Sequence, residues 1–112
     1  MSPDVVFISM AARELGMHPQ TLRKYERLGL VQPARTIGSM RLYSDEQIER
    51  LRFIKRLVDE HGVNLAGVQQ LLSVVDIVER IRPLVRTNDG TRSDRRRALQ
   101  REVDELTRLL GL

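Results

Sequence analysis

The chain has 112 residues, carries 19 Lys and Arg against 15 Asp and Glu for a formal net charge of +4, and lacks Cys and Trp. That length allows one domain, or a small domain with a helical extension, and excludes a TIM barrel or a doubly wound dinucleotide enzyme. The missing cysteines exclude disulfide scaffolds, thiolate metal sites and cysteine nucleophiles, and the 41% hydrophobic content supports only a small core.

Val5-Val6-Phe7-Ile8 reads as a short apolar lead-in, after which Ser9 is placed to N-cap a helix over Met10–Leu15 that Gly16 ends. A second helix starts at once, with His18 at the N-cap, Pro19 at the first helical position and good helix formers from Gln20 to Leu28 before Gly29. Two short helices joined by a tight glycine turn suggest a helix-turn-helix, with Ala12, Leu15, Met17 and Leu22 packed inside. Any αα-hairpin fits the same spacing. Pro33 then blocks helix, and Gly38-Ser39 supplies a turn between Ala34-Arg35-Thr36 and Arg41-Leu42-Tyr43. This predicts a two-stranded ribbon with Arg35, Arg41 and Tyr43 projecting on or near it, in the position of a wing and as candidate DNA contacts.

Ser44-Asp45-Glu46-Gln47 is a capping box that starts a helix to about Glu60, with Ile48, Leu51, Ile54, Leu57 and Val58 at helical spacing. Phe53 is placed to close the seam with the wing or the first helices. His61-Gly62 ends that helix, and Asn64 is placed to cap another from Leu65 to about Ser73. Val74–Val85 is ambiguous: it is too apolar for a lone surface helix, and Pro83 is expected to end or kink it. Thr87–Thr91 reads as a polar break. A last helix follows from about Asp94 to Leu110, where Leu99, Val103, Leu106 and Leu110 make a heptad seam. Two heptads are marginal alone. The seam suits a partner copy of the chain, with a helix folded back on residues 74–85 as the alternative.

Few residues offer catalysis. His18 reads as a helix cap facing a phosphate and His61 as a helix-end residue, and neither has a neighbour that would make it the base of a nucleophile. The carboxylates Glu46, Glu49, Asp59 and Glu60 fall on solvated helix faces, and no phosphate loop or metal-ligand spacing is present, so neither enzyme chemistry nor a cofactor is expected. Nucleic-acid binding fits better. Residues 1–56 hold 10 basic and 6 acidic side chains, and residues 57–112 hold 9 of each, so the whole positive excess lies in the first half. In a winged helix-turn-helix the second helix enters the major groove. Arg23 is the candidate base reader because its fork matches guanine O6 and N7, while Thr21, Lys24 and Arg27 suit phosphates. Gln20 faces outward with them. Tyr25 is placed to donate to a phosphate or to pack the helix pair, and Arg41 and Tyr43 to grip backbone from the wing. No apolar run approaches the roughly 20 residues that span a bilayer, and MSPDVVFISM lacks a basic signal-peptide start, so a cytoplasmic protein is expected.

Thr21–Leu30, then Pro33, Arg35, Gly38, Arg41, Tyr43 and Leu51-Arg52-Phe53-Ile54, resemble the MerR family of bacterial transcription regulators. Gly16–Arg23, Phe7-Ile8-Ser9 and Gly62–Val68 look like its heat-shock repressor branch. The resemblance covers about residues 5–73. It implies a winged helix-turn-helix head and a homodimer joined by an antiparallel coiled coil of the last helix, bound to an inverted-repeat operator of double-stranded DNA. Family DNA contacts carry over to Thr21, Arg23, Tyr25, Arg41 and Tyr43, with helper contacts at His18, Gln20, Lys24 and Arg27. The heat-shock branch represses chaperone operons with an Hsp70-type chaperone as co-repressor. Metal- and redox-sensing relatives carry effector cysteines beyond the dimer helix and drug-sensing ones a ligand domain. This chain shows neither, which favours a repressor without a built-in sensor.

The expectation is therefore a mainly α protein in three parts: a winged head over residues 1–73, an ambiguous helix and loop over 74–92, and a dimerisation helix over 93–112. The expected role is a nucleoid-associated repressor of heat-shock genes. Two alternatives share the fold: a chaperone- or co-chaperone-binding interaction module, for which the apolar stretch 74–85 speaks, and a phage-type excision or DNA-architecture factor.

Overall fold

Val5–Phe7 forms a strand, β1, pairing antiparallel with β3 (Arg41–Ser44) so that Val5 faces Ser44, Val6 faces Tyr43 and Phe7 faces Leu42. On the other side of β3 lies β2 (Ala34–Arg35), with Ala34 opposite Leu42 and Arg35 opposite Arg41. The ribbon expected from the sequence is thus two strands of a three-stranded sheet of order β1-β3-β2. The structure, a computed structural model, describes residues 5–86 and 90–112.

The pairing of β1 also resets the first helix. Helix α1 (Ile8–Leu15) starts directly on the strand, with the extended Phe7 as its N-cap and no side-chain cap bond. Ser9, expected to be the cap, lies inside the helix, because the sheet rather than a hydroxyl decides where the extended chain stops. Helix α2 (Pro19–Arg27) begins as the sequence predicts: the His18 side chain accepts from the Gln20 N–H at 3.0 Å, and Pro19 occupies a position needing no N–H. Helix α3 (Asp45–Asp59) opens on the complete capping box, Ser44 accepting from the Gln47 N–H and Gln47 from the Ser44 N–H.

The chain divides after Val68 into two units. In the first, α1 packs on α2, α3, β1 and β3, and α3 packs on β3. Ala11, Ala12, Leu15, Leu22, Tyr25, Tyr43, Ile48, Leu51, Ile54, Leu57 and Val68 form its core, and no charged side chain is buried among the described residues. The alanines let α2 cross α1 closely, while α3 delivers apolar residues every third or fourth position to one side. Phe53 is half-buried, with the Arg56 guanidinium 5.9 Å above its ring. At the foot of the wing, Arg50 Nε donates to the Leu30 carbonyl at 2.7 Å and Gln47 Nε2 donates to the Gln32 carbonyl.

Helix α4 runs unbroken over Leu65–Arg86, with Asn64 Oδ1 accepting from the Gly67 N–H at 2.8 Å. The stop expected near Ser73 does not occur. Pro83 sits inside this helix, close enough to its end that the helix runs only to Arg86. A proline there removes one bond, to the carbonyl four residues back, and leaves the preceding turns intact. Of the expected polar break, Thr87, Asn88 and Asp89 lie outside the described residues. Thr91 caps helix α5 (Arg92–Leu109) by accepting from the Asp94 N–H at 3.0 Å.

In the second unit α4 and α5 run antiparallel. Gln70 Nε2 donates to the Leu109 carbonyl at 3.1 Å, and Arg80 bridges Glu102 at 2.8 Å and Glu105 at 3.0 Å. Leu72 and Ile77 are buried there. The last helix therefore packs on part of the stretch whose role the sequence left open.

Candidate nucleic-acid interface

Gly16 makes the turn between α1 and α2, at φ +64° in the left-handed region that glycine occupies without strain. The Met17 N–H closes the turn on the Ala12 carbonyl at 3.0 Å, and Lys55 Nζ on α3 donates to the Leu15 carbonyl at 2.8 Å. A cation on the free carbonyls at the end of α1 also matches the sign of its dipole. The turn is thereby fixed from both sides, and with it the direction in which α2 leaves.

Leu22 and Tyr25 anchor α2 in the core. The other side of the helix turns outward: His18, Gln20, Lys24 and Arg27 are exposed, and Thr21 and Arg23 are half-buried. Gln20, Lys24 and Arg27 fall on one face by their spacing of four and three, with Arg23 beside them. Among the described residues Arg23, Lys24 and Arg27 make no ion pair. Three cations without an ion pair among the described residues, on nine residues of helix, give this face a concentrated positive charge.

The wing arginines are placed differently. Arg35 Nη2 meets Glu26 Oε2 at 2.8 Å and Arg41 Nε meets Glu26 Oε1 at 2.5 Å, so one carboxylate of α2 holds both strands of the wing. Burial pushes the Glu26 carboxyl up, but the hydrogen bonds from Arg41 and then Arg35, with their charges, outweigh it and hold it below the usual carboxylate range. Glu26 stands out in the sequence only as the acid within the most basic helix. Its partners are nine and fifteen residues away, so no helical spacing points to the contact.

Two expected contacts are corrected. Tyr43 does not project from the wing: it is fully buried, and its hydroxyl has no hydrogen-bond partner among the described residues. Burial raises its pKa first, the Glu26 charge second, against a smaller pull from Arg41, Arg23 and Arg35. Tyr25, placed by the sequence either to donate to a phosphate or to pack the helix pair, packs: it is 7% exposed, and burial followed by the Asp59 charge raises its pKa. Both rings face inward because β3 turns Tyr43 onto the helices and α2 turns Tyr25 with Leu22 to the core. Along the expected seam, Leu99 and Leu106 are half-buried, whereas Val103 is 46% and Leu110 51% exposed. Among the described residues no group of His, Asp or Glu is arranged to hold a metal ion, and no helix is long and apolar enough to cross a membrane.

Residues 7–74 match the model of the MerR HTH family of regulatory proteins. The chain belongs to the MerR family. A MerR-family regulator in crystal form, described as lacking the sensor domain and bound to promoter DNA, has the same fold with a TM-score of 0.59 and 21% identity over 96% of this chain and 80% of that one. A protein of Streptomyces coelicolor assigned the name heat shock protein HspR is 44% identical over 90 residues, 77% of this chain and 60% of that protein. The mercuric resistance operon regulatory protein of Bacillus cereus is 44% identical over 70 residues, 62% of this chain and 52% of that protein. The chain spans between about half and three-fifths of the length of those two relatives. A Haemophilus influenzae protein assigned as a heavy metal-dependent transcriptional regulator is 32% identical over 104 residues, 88% of this chain and 80% of that protein. These MerR relatives are regulators and not enzymes, in agreement with the sequence.

Proposed function

We propose that this MerR-family chain is a sequence-specific double-stranded DNA-binding repressor of heat-shock and chaperone genes. It acts as a homodimer on an inverted repeat, in the cytoplasm on the nucleoid. The observation that carries the DNA reading is the outward face of α2, where Arg23, Lys24 and Arg27 stand without ion pairs among the described residues, beside Gln20 and Thr21. In this reading Arg23 reads a base edge, Lys24 and Arg27 hold phosphates, and Arg41 reaches backbone from the wing. The similarity to the protein named heat shock protein HspR supports the choice of target genes, and the co-repressor in this reading, an Hsp70-type chaperone, is what the resemblance of residues 5–73 to the heat-shock branch implies.

The decisive experiment is selection of duplexes from a random pool by the purified chain. Recovery of an inverted repeat is the expected result, and recovery of no sequence above background would sink the reading. Arg23→Ala should weaken binding to the selected duplex by about 1–3 kcal/mol and relax one position, while Lys24→Ala should weaken all duplexes alike and lower the salt slope. Tight binding to an Hsp70-type chaperone with no duplex binding at all would make the chain an interaction module instead.

A further inference from the structure

We propose that Glu26 is a positioning residue for duplex recognition: with Arg35 and the Nε of Arg41 it forms a clasp that fixes both wing strands on α2, leaving the two Nη groups of Arg41 to meet phosphate. The proposal rests on the DNA-binding reading above and assigns parts within it. Arg35 divides its guanidinium between two partners, Nη2 to Glu26 Oε2 at 2.8 Å and Nη1 to the Ser39 carbonyl at 3.1 Å. One side chain thus joins the helix, the first wing strand and the wing turn. The turn is internally tied by the Ser39 N–H to the Thr36 carbonyl at 2.9 Å and the Met40 N–H to Thr36 Oγ1 at 3.1 Å, so what the clasp moves, it moves as a body.

Strand β3 is held by β1 and by the buried Tyr43, but β2 is a two-residue, exposed strand at the edge of the sheet, so its angle to α2 depends on contacts outside the sheet. Arg41 gives only Nε to Glu26, and its two Nη groups make no hydrogen bond among the described residues. The charge argument points the same way. A carboxylate beside a phosphate-binding helix repels the ligand, so it lowers affinity for every duplex alike. Its benefit must lie in geometry: with wing and helix at a fixed angle, base reading by α2 and backbone contact by the wing are satisfied together only in the correct register.

The test uses the full chain and two probes, the duplex selected from a random pool by the wild-type protein and poly(dI-dC) as a non-specific duplex. For Glu26→Gln the selected-to-non-specific affinity ratio should fall about tenfold, the cost of one misread base pair. Binding to poly(dI-dC) should hold or tighten, with a steeper salt slope as Arg35 turns to phosphate. Arg35→Lys, which keeps the charge but lacks the fork, should lower the ratio similarly, and the double variant should lose little more than either single one. An unchanged ratio in Glu26→Gln would overturn the proposal, as would an equal loss on both probes with a lowered melting temperature, which would make the contact merely structural. A wild-type chain that selects no sequence would overturn the DNA reading itself, a distinct result.

Discussion

Arg23 and Arg35 carry the same guanidinium in opposite circumstances. Arg23 makes no ion pair among the described residues, whereas Arg35 is spent on Glu26 and Ser39 within the protein. A count of basic residues treats them alike, which is why the sequence marks both for DNA. Tyr25 and Tyr43 show the same limit. A tyrosine has an apolar body and a polar tip, so its position on a basic helix or wing does not say which end faces water. The outward set Gln20, Arg23, Lys24 and Arg27 was legible because helical spacing alone separates it from Leu22. Glu26 also gives a pH signature. Its folded pKa lies below the ordinary value near 4.5, so the charged form stabilises the fold above that value and the contribution is lost as pH falls through the folded one. Urea midpoints of the wild type and Glu26→Gln should therefore differ at about pH 6 and converge towards about pH 3. A gap that stays constant would mean the ion pairs do not form in solution.

Among the elements, those announced by local chemistry were legible. The His18-Pro19 start, the Ser44/Gln47 box and the Asn64 cap each depend on residues within one turn, and each opens a helix where the sequence predicts. Those decided at a distance were not. The strand at Val5–Phe7 exists because Leu42, Tyr43 and Ser44 lie opposite, and α4 continues past Ser73 with Leu72 and Ile77 buried rather than stopping at a weak local signal. Two predictions belong here. Ser44→Ala removes one half of the box and should cost about 1 kcal/mol by denaturant unfolding. Gly16→Ala combines a left-handed φ with a Cβ only 3.3 Å from Lys55 Nζ, and should cost about 1–2 kcal/mol. Circular dichroism melts showing Gly16→Ala as stable as the wild type would mean that the turn relaxes out of this conformation.

For the whole molecule, the arrangement of α4 and α5 sharpens the dimer question. Leu106 is half-buried beside Glu102 and Glu105, which bridge Arg80 of α4, so a charge at Leu106 would disturb the helix pair as well as any seam. Val103 and Leu110 are exposed on the same helix, and in the dimer we propose they meet a second copy. Val103→Asp should leave the melting temperature near that of the wild type, yield a monomer in sedimentation, and weaken binding to the selected inverted repeat by about a hundredfold through lost bivalency. A Val103→Asp chain that still sediments as a dimer would place the seam elsewhere.

The order β1-β3-β2 has a kinetic side. The wing closes over a handful of residues, a step of microseconds, whereas β1 must find a strand whose Ser44 pairs with its own Val5 across both helices of the helix-turn-helix. Loop closure over that span is entropically costly, so the sheet is completed late and its first strand is held by a non-local contact. During synthesis Val5–Phe7 leaves the ribosome first and waits, unpaired and apolar, until β3 emerges. In refolding followed by hydrogen exchange, protection should reach the wing amides before those of β1, and the entrance to α1 should become fixed only when that last strand docks.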